Sequence, residues 1–150
     1  MKLVCNSFEN GAAIPHHHGR LFGNIPPSLV WEDVPDNAVS LVLFCLDPDA
    51  LAGIWTHWVV YNIPKNNNGL PPDMGRADET SDGIRQGLNS WGEIGYDGPQ
   101  PPFGVHRYIF TLYALDIELG VKGGASIHSV EKAMKGHIVG TAELMGKFGK

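Results

Sequence analysis

Arg107-Tyr108-Ile109-Phe110-Thr111-Leu112-Tyr113-Ala114-Leu115 is a run of β-branched and aromatic residues that stops at Asp116. Its composition and length predict a strand. Two further runs resemble it. Leu41-Val42-Leu43-Phe44-Cys45-Leu46, entered from Ser40, is continuously apolar and ends at Asp47-Pro48-Asp49, as a buried strand running into a turn would. Trp55-Thr56-His57-Trp58-Val59-Val60-Tyr61-Asn62-Ile63 is closed by Pro64. These three strands are expected to form the centre of one sheet. The surrounding chain carries 19 glycines and 11 prolines, spread so that turns and long connections are frequent, which favours sheet over helix bundle. Lys65–Gly69 reads as an Asn-rich turn. Leu70–Gly104 reads as a long glycine-punctuated segment with short edge pieces, and connections of that length are often functional.

The period changes in the last third. Ser126 is placed to cap a helix in which Ile127, Val130, Ala133, Met134 and Ile138 recur at helical spacing, weakened at its end by Gly136. Ala142-Glu143-Leu144-Met145 reads as the start of a final short helical turn. No repeat or linker divides the chain, so residues 1–150 are expected to form a single domain. The formal net charge of −5 and the scatter of the 11 basic residues argue against a nucleic-acid partner. Cys5 and Cys45 have no metal-ligand spacing, and Cys45 reads as a buried free thiol. The first residues lack a secretory apolar region, and no stretch reaches the roughly 18 apolar residues of a membrane span, so a cytoplasmic location is expected.

Alternate side chains of a strand share a face, so His106 and Tyr108 point together and Arg107 points away. Asp47 ends one strand and His57 lies in the next. If both strands neighbour the third, then Asp47, His57, His106 and Tyr108 line one pocket. A carboxylate beside an imidazole raises its pKa and favours the doubly donating cation. Two such imidazoles and a phenol make a compact anion receptor. Taken singly, each is an ordinary core or edge residue. Two histidines and a carboxylate are also the ligand set of an open non-haem iron site. An Asp–His pair is two-thirds of a hydrolytic triad, but there is no GxSxG elbow, and Ser90 in Asn89-Ser90-Trp91-Gly92 reads as a turn serine. His16-His17-His18, after Pro15, reads as a solvated extended loop in which at most two rings converge on an adventitious metal.

Several segments together resemble the phosphatidylethanolamine-binding proteins, also called Raf-kinase-inhibitor-like proteins. Asp47-Pro48-Asp49-Ala50 is similar to the family's DPDAP segment, and Trp55–Pro64 to its WxHWVVxNIP stretch. Gly95-Tyr96-Asp97-Gly98-Pro99-Gln100-Pro101-Pro102-Phe103-Gly104-Val105-His106-Arg107-Tyr108 resembles its GYxGPxPPxGxHRY block, continued by Phe110–Asp116. Weaker echoes are Asn24–Trp31, similar to NxSPPLxW, and Ala133–Ile138.

The resemblance implies a mainly β, sandwich-like fold: a large antiparallel central sheet packed on a smaller one, with peripheral helices. It implies an anion pocket for phosphate-like groups and phospholipid headgroups at Asp47, His57, His106 and Tyr108, walled by Gly98, Pro99, Pro101 and Pro102. The shortness of the chain places it with the bacterial and archaeal branch. Three departures stand out. Leu51 replaces the final proline of DPDAP, three histidines occupy the Pro15–Gly19 segment, and the longer C-terminal helix that covers the pocket mouth in animal members is not expected here. A binding protein rather than an enzyme follows as the expectation. It would need no cofactor and no metal, and would have a kinase or protease partner and a possible homodimer. A metal-dependent enzyme or hydrolase using Asp47, His57 and His106, and a homodimeric scaffold, stand as alternatives.

Overall fold

Strand β3 (Ser40–Asp47) is buried on both faces, which is why its sequence is continuously apolar rather than alternating. Leu41, Leu43 and Cys45 face one core, shared with Trp31, Val60, Phe110 and Leu112. Val42 and Phe44 face a second, shared with Val59, Tyr61, Val130 and Met134. The computed structural model, which describes residues 1–149, arranges five strands in the order β5-β4-β3-β6-β7, all antiparallel. Here β4 is Trp55–Pro64, β5 Arg85–Gln86, β6 Val105–Leu115 and β7 Ile138–Gly149. The three strands expected from sequence are therefore the three central neighbours. Over one face lies a two-stranded sheet of β1 (Lys2–Cys5) and β2 (Leu29–Glu32), which places Leu3, Leu29 and Trp31 in the first core. The mainly β, two-sheet expectation holds.

Helix α1 (Ile127–Met134) covers the other face with Val130 and Met134. The Ser126 side chain accepts from the Ser129 N–H at 3.2 Å, the capping bond expected of it. Gly136 has φ of +83°, a left-handed conformation that ends the helix, so Ile138 lies outside it and opens β7.

The reading of Ala142–Met145 as a helical turn is corrected: these residues lie inside β7, paired along β6 from Leu115↔Ile138 to Val105↔Gly149. Ala142, Leu144, Gly146 and Phe148 alternate with the more exposed Glu143, Met145 and Lys147, a period of two that a four-residue window does not separate from a helical turn. The Leu70–Gly104 connection contains β5 and the isolated bridges Glu79↔Arg85 and Leu88↔Ile94, the short edge pieces expected of it. His16–His18 form a 3-10 turn rather than an extended loop, and His18 is buried. Among the described residues no helix is long and apolar enough to cross a membrane.

Candidate binding site at the end of the central sheet

The pocket is built where β3, β4 and β6 end together. Cys45 pairs with Trp58 and Leu46 with Thr56, so His57 is an extra residue, a bulge in β4. Trp58 already faces the first core, and strict alternation would send His57 to the opposite side. The bulge instead turns both toward the same face. Tyr108 and His106 reach that face by parity with Phe110, and Asp47 by parity with Cys45. A cavity of about 330 Å³ results, lined by Asp47, His57, His106 and Tyr108, by Trp55 and Trp91, and by Gln100, Pro101 and Pro102. Leu51, in place of the family's proline, stands 80% exposed at its edge.

One turn clamps both sides of the first residues of β6. Asp47 Oδ2 accepts from His106 Nδ1 at 2.7 Å, while its Oδ1 accepts from the Asp49 N–H at 2.7 Å. Asp49 accepts from Arg107 through its backbone N–H, Nε and Nη2, at 2.8–3.0 Å. The Arg107 guanidinium accordingly holds the Asp49 carboxyl down at about 2. Neighbours that point to opposite faces of β6 are thus fixed by carboxylates two residues apart. With Nδ1 committed to Asp47, the free nitrogen of His106 is Nε2.

His57 differs from expectation. Its Nδ1 donates to the Asp97 carbonyl at 2.7 Å, not to Asp47. Burial holds its pKa below the ordinary imidazole value, against the opposing effects of that carbonyl and of Asp47. The expected pair of cationic imidazoles is therefore corrected: His57 is a neutral ring with a proton on Nδ1 and a lone pair on Nε2. Burial first, and the charge of Asp47 after it, push the Tyr108 phenol upward, so its O–H is retained. His57 also packs edge-on against Tyr108 and Trp91, with centroids 5.1 and 5.2 Å apart.

Behind His57 lies a network that the sequence reading does not contain. Asp97, 2% exposed, receives a fork from Arg76 at 2.8 and 2.9 Å, Asn89 Nδ2 at 2.7 Å and Asn24 Nδ2 at 3.0 Å. Burial alone would raise its pKa, but the Arg76, Asn89 and Asn24 donors outweigh burial and hold it low. Arg20 stacks 4.6 Å from the Trp91 ring centroid and donates to Gln100 Oε1 at 2.9 Å, bracing two lining residues at once. Asp97 stands inside the Gly95–Tyr108 block, so position alone marked it. Trp91 and Arg20 gave no periodic or spacing signal.

The wall divides in two. Pro101 and Pro102 line the pocket, whereas Gly98 and Pro99 do not. Gly98 sits behind it, its N–H donating to Asn24 Oδ1 at 2.8 Å. Pro99 lines a neighbouring cavity of about 280 Å³ with His16, Phe22, Phe103 and Phe148. Among the described residues no three His, Cys, Asp or Glu side chains are arranged to hold a metal ion. The Asp47–His57 acid–base pair that the hydrolase alternative needs does not form. Ser90 Oγ accepts from the Thr56 N–H at 2.7 Å and serves the backbone.

A family model described as phosphatidylethanolamine-binding protein matches residues 5–149. The chain belongs to the phosphatidylethanolamine-binding protein family. Archaeal and bacterial family relatives agree along the whole length. A UPF0098 protein of Methanothermobacter thermautotrophicus is 46% identical over 148 residues, covering 99% of this chain and 98% of the relative. The UPF0098 protein YbhB of Escherichia coli is 41% identical over 157 residues, covering 99% of each. Among solved family structures, the Chlamydia trachomatis homologue CT736 superposes with a TM-score of 0.89 at 40% identity, covering 99% of this chain and 97% of that one. E. coli YbcL, described as a member of the mammalian family, gives 0.90 at 32% identity, covering 99% and 98%.

Proposed function

We propose that this family member is a binding protein for a small anion, the phosphoryl end of a phosphorylated ligand, and that the pocket captures rather than converts it. The observation that carries this reading is the Asp47–His106 bond of 2.7 Å at the cavity wall. It orients His106 so that Nε2, and in the protonated ring an N–H with positive charge, is left for a ligand. Tyr108 supplies a second donor. Neutral His57 supplies an acceptor at Nε2, which suits the P–OH of a singly protonated phosphoryl group. Trp55, Trp91, Pro101 and Pro102 give apolar walls. A volume of about 330 Å³ lies at the small end of ligand sites, so a headgroup rather than a whole lipid is the occupant.

Leu51 stands exposed at the mouth and Phe103 stands exposed in the neighbouring cavity, and through them a protein partner would read occupancy. By analogy with the Raf-kinase-inhibitor-like name of the family, that partner is a kinase or protease. Isothermal titration of metal-free protein with phosphate and phosphoethanolamine at pH 6 and pH 8 tests the pocket. Saturable binding should weaken at pH 8, as the P–OH that donates to neutral His57 is lost. Tyr108→Phe should weaken binding roughly 10- to 100-fold, the worth of one hydrogen bond to a charged group. Equal affinity at both pH values together with an unaffected Tyr108→Phe variant would reject the proposal.

A further inference from the structure

A second constellation lies away from the pocket, just beyond β1. Ser7 Oγ is 2.8 Å from His18 Nε2, and the other ring nitrogen, Nδ1, is 2.7 Å from the Ile25 carbonyl oxygen. A carbonyl oxygen only accepts, so Nδ1 carries the proton. In the neutral ring Nε2 then holds a lone pair, and the Ser7 hydroxyl donates to it. Cys5 Sγ lies 3.2 Å from the same hydroxyl oxygen. Because the Ser7 proton is committed to His18, the thiol is the donor in that contact, and it fixes the serine rotamer.

The two partners differ sharply in environment. His18 is 3% exposed, and its backbone carbonyl accepts from the buried Tyr96 hydroxyl at 2.7 Å, so ring and backbone are both held. Burial, with the charge of His17 adding to it and the Ile25 carbonyl opposing, keeps the His18 pKa below the ordinary value, and the ring is a free base at neutral pH. Ser7 is exposed. The hydroxyl of an exposed residue, a neutral imidazole within hydrogen-bond reach and an acceptor orienting its far nitrogen make up the nucleophile–base–orienter order of acyl-transfer sites. A backbone carbonyl stands here where a carboxylate often stands.

We propose that Ser7 is an acyl-accepting nucleophile, with His18 as its general base, that takes the acyl group of a small ester. Ser7 Oγ attacks the ester carbonyl carbon while its proton passes to His18 Nε2. The tetrahedral adduct collapses, the bond from carbonyl carbon to leaving oxygen breaks, and the leaving oxygen takes the proton from His18. The products are O-acylserine and an alcohol, with no change of oxidation state. Ser7 and His18 line neither the phosphate pocket nor its neighbour, so this chemistry is independent of the ligand reading above.

The test is reaction of the intact protein with p-nitrophenyl acetate, followed by release of nitrophenolate and by mass spectrometry with peptide mapping. One acetyl group per chain is expected, on Ser7. The rate should rise with pH as His18 loses its proton and then level off, with its midpoint below 6.5, the ordinary imidazole value. His18→Gln should slow acetylation by about 100-fold or more, the usual contribution of a general base. Since His18 is buried, Ser7→Ala provides a variant at an exposed position: it should fold as the parent does, bind phosphate as the parent does and lose the acetyl group. Acetylation confined to lysines or Cys5, a rate that climbs with pH without a plateau, or unchanged Ser7 labelling in folded His18→Gln would each overturn the assignment.

Discussion

Replacing Asp97 with Asn removes one charge and keeps the shape, yet the contacts around that carboxylate make it a destabilising change. Four N–H groups converge on the carboxylate, two on each oxygen: Arg76 and Asn89 on Oδ2, Arg76 and Asn24 on Oδ1. An asparagine offers one acceptor oxygen, so two donors come to face an amide N–H2. Arg76 is 47% exposed along its side chain and turns to water at little expense. Asn89 is buried, and its Nδ2 keeps only a 3.2 Å bond to the Gly95 carbonyl. One weakened charge-assisted bond and one buried donor left without a partner together cost about 3 kcal/mol. For a domain of this size that lowers Tm by roughly 6–12 °C. The Asp97 backbone carbonyl that orients His57 survives the substitution, so phosphate affinity should fall far less than stability does. Urea unfolding of parent and Asp97→Asn, with titration of both at a temperature where both are folded, separates the two effects. Stability of the variant indistinguishable from that of the parent would refute the idea that Asp97 is the keystone of the pocket's support.

Other outcomes rest on the same contacts. His57 and His18 are both held below the ordinary value of 6.5 by burial, so the unfolded chain binds protons that the native state refuses. Their contribution to stability is present above pH 6.5 and is lost as pH falls through their lowered folded values. Asp97, depressed below 3.8, adds a further loss beneath that pH. Urea midpoints measured from about pH 7.5 to about pH 4 should fall steadily, and a flat profile between roughly pH 6.5 and 5 would contradict the protonation states assigned here. Gly98→Ala places a Cβ onto the His18 carbonyl oxygen and 2.9 Å from the Tyr96 hydroxyl. Overpacking against backbone should cost about 3 kcal/mol, read as a lowered unfolding midpoint.

What the sequence alone determined was the set of neighbours. Three runs of strand-forming residues, each bounded by Asp or Pro, became β3, β4 and β6 side by side, because continuous burial of both faces requires the apolar content those runs have. Parity within β6 also determined that His106 and Tyr108 share a face, since a strand's side chains alternate whatever surrounds it. The rest depended on contacts between distant segments. The bulge at His57 belongs to the pairing of β4 with β3 and leaves no mark in the run that carries it. Burial around His57 decided that ring's charge, against both the Asp97 carbonyl and the charge of Asp47, because desolvation depends on every neighbour at once. Ala142–Met145 became strand because β6 offered an open edge along its full length. Tertiary pairing overrode a local pattern too short to resist it.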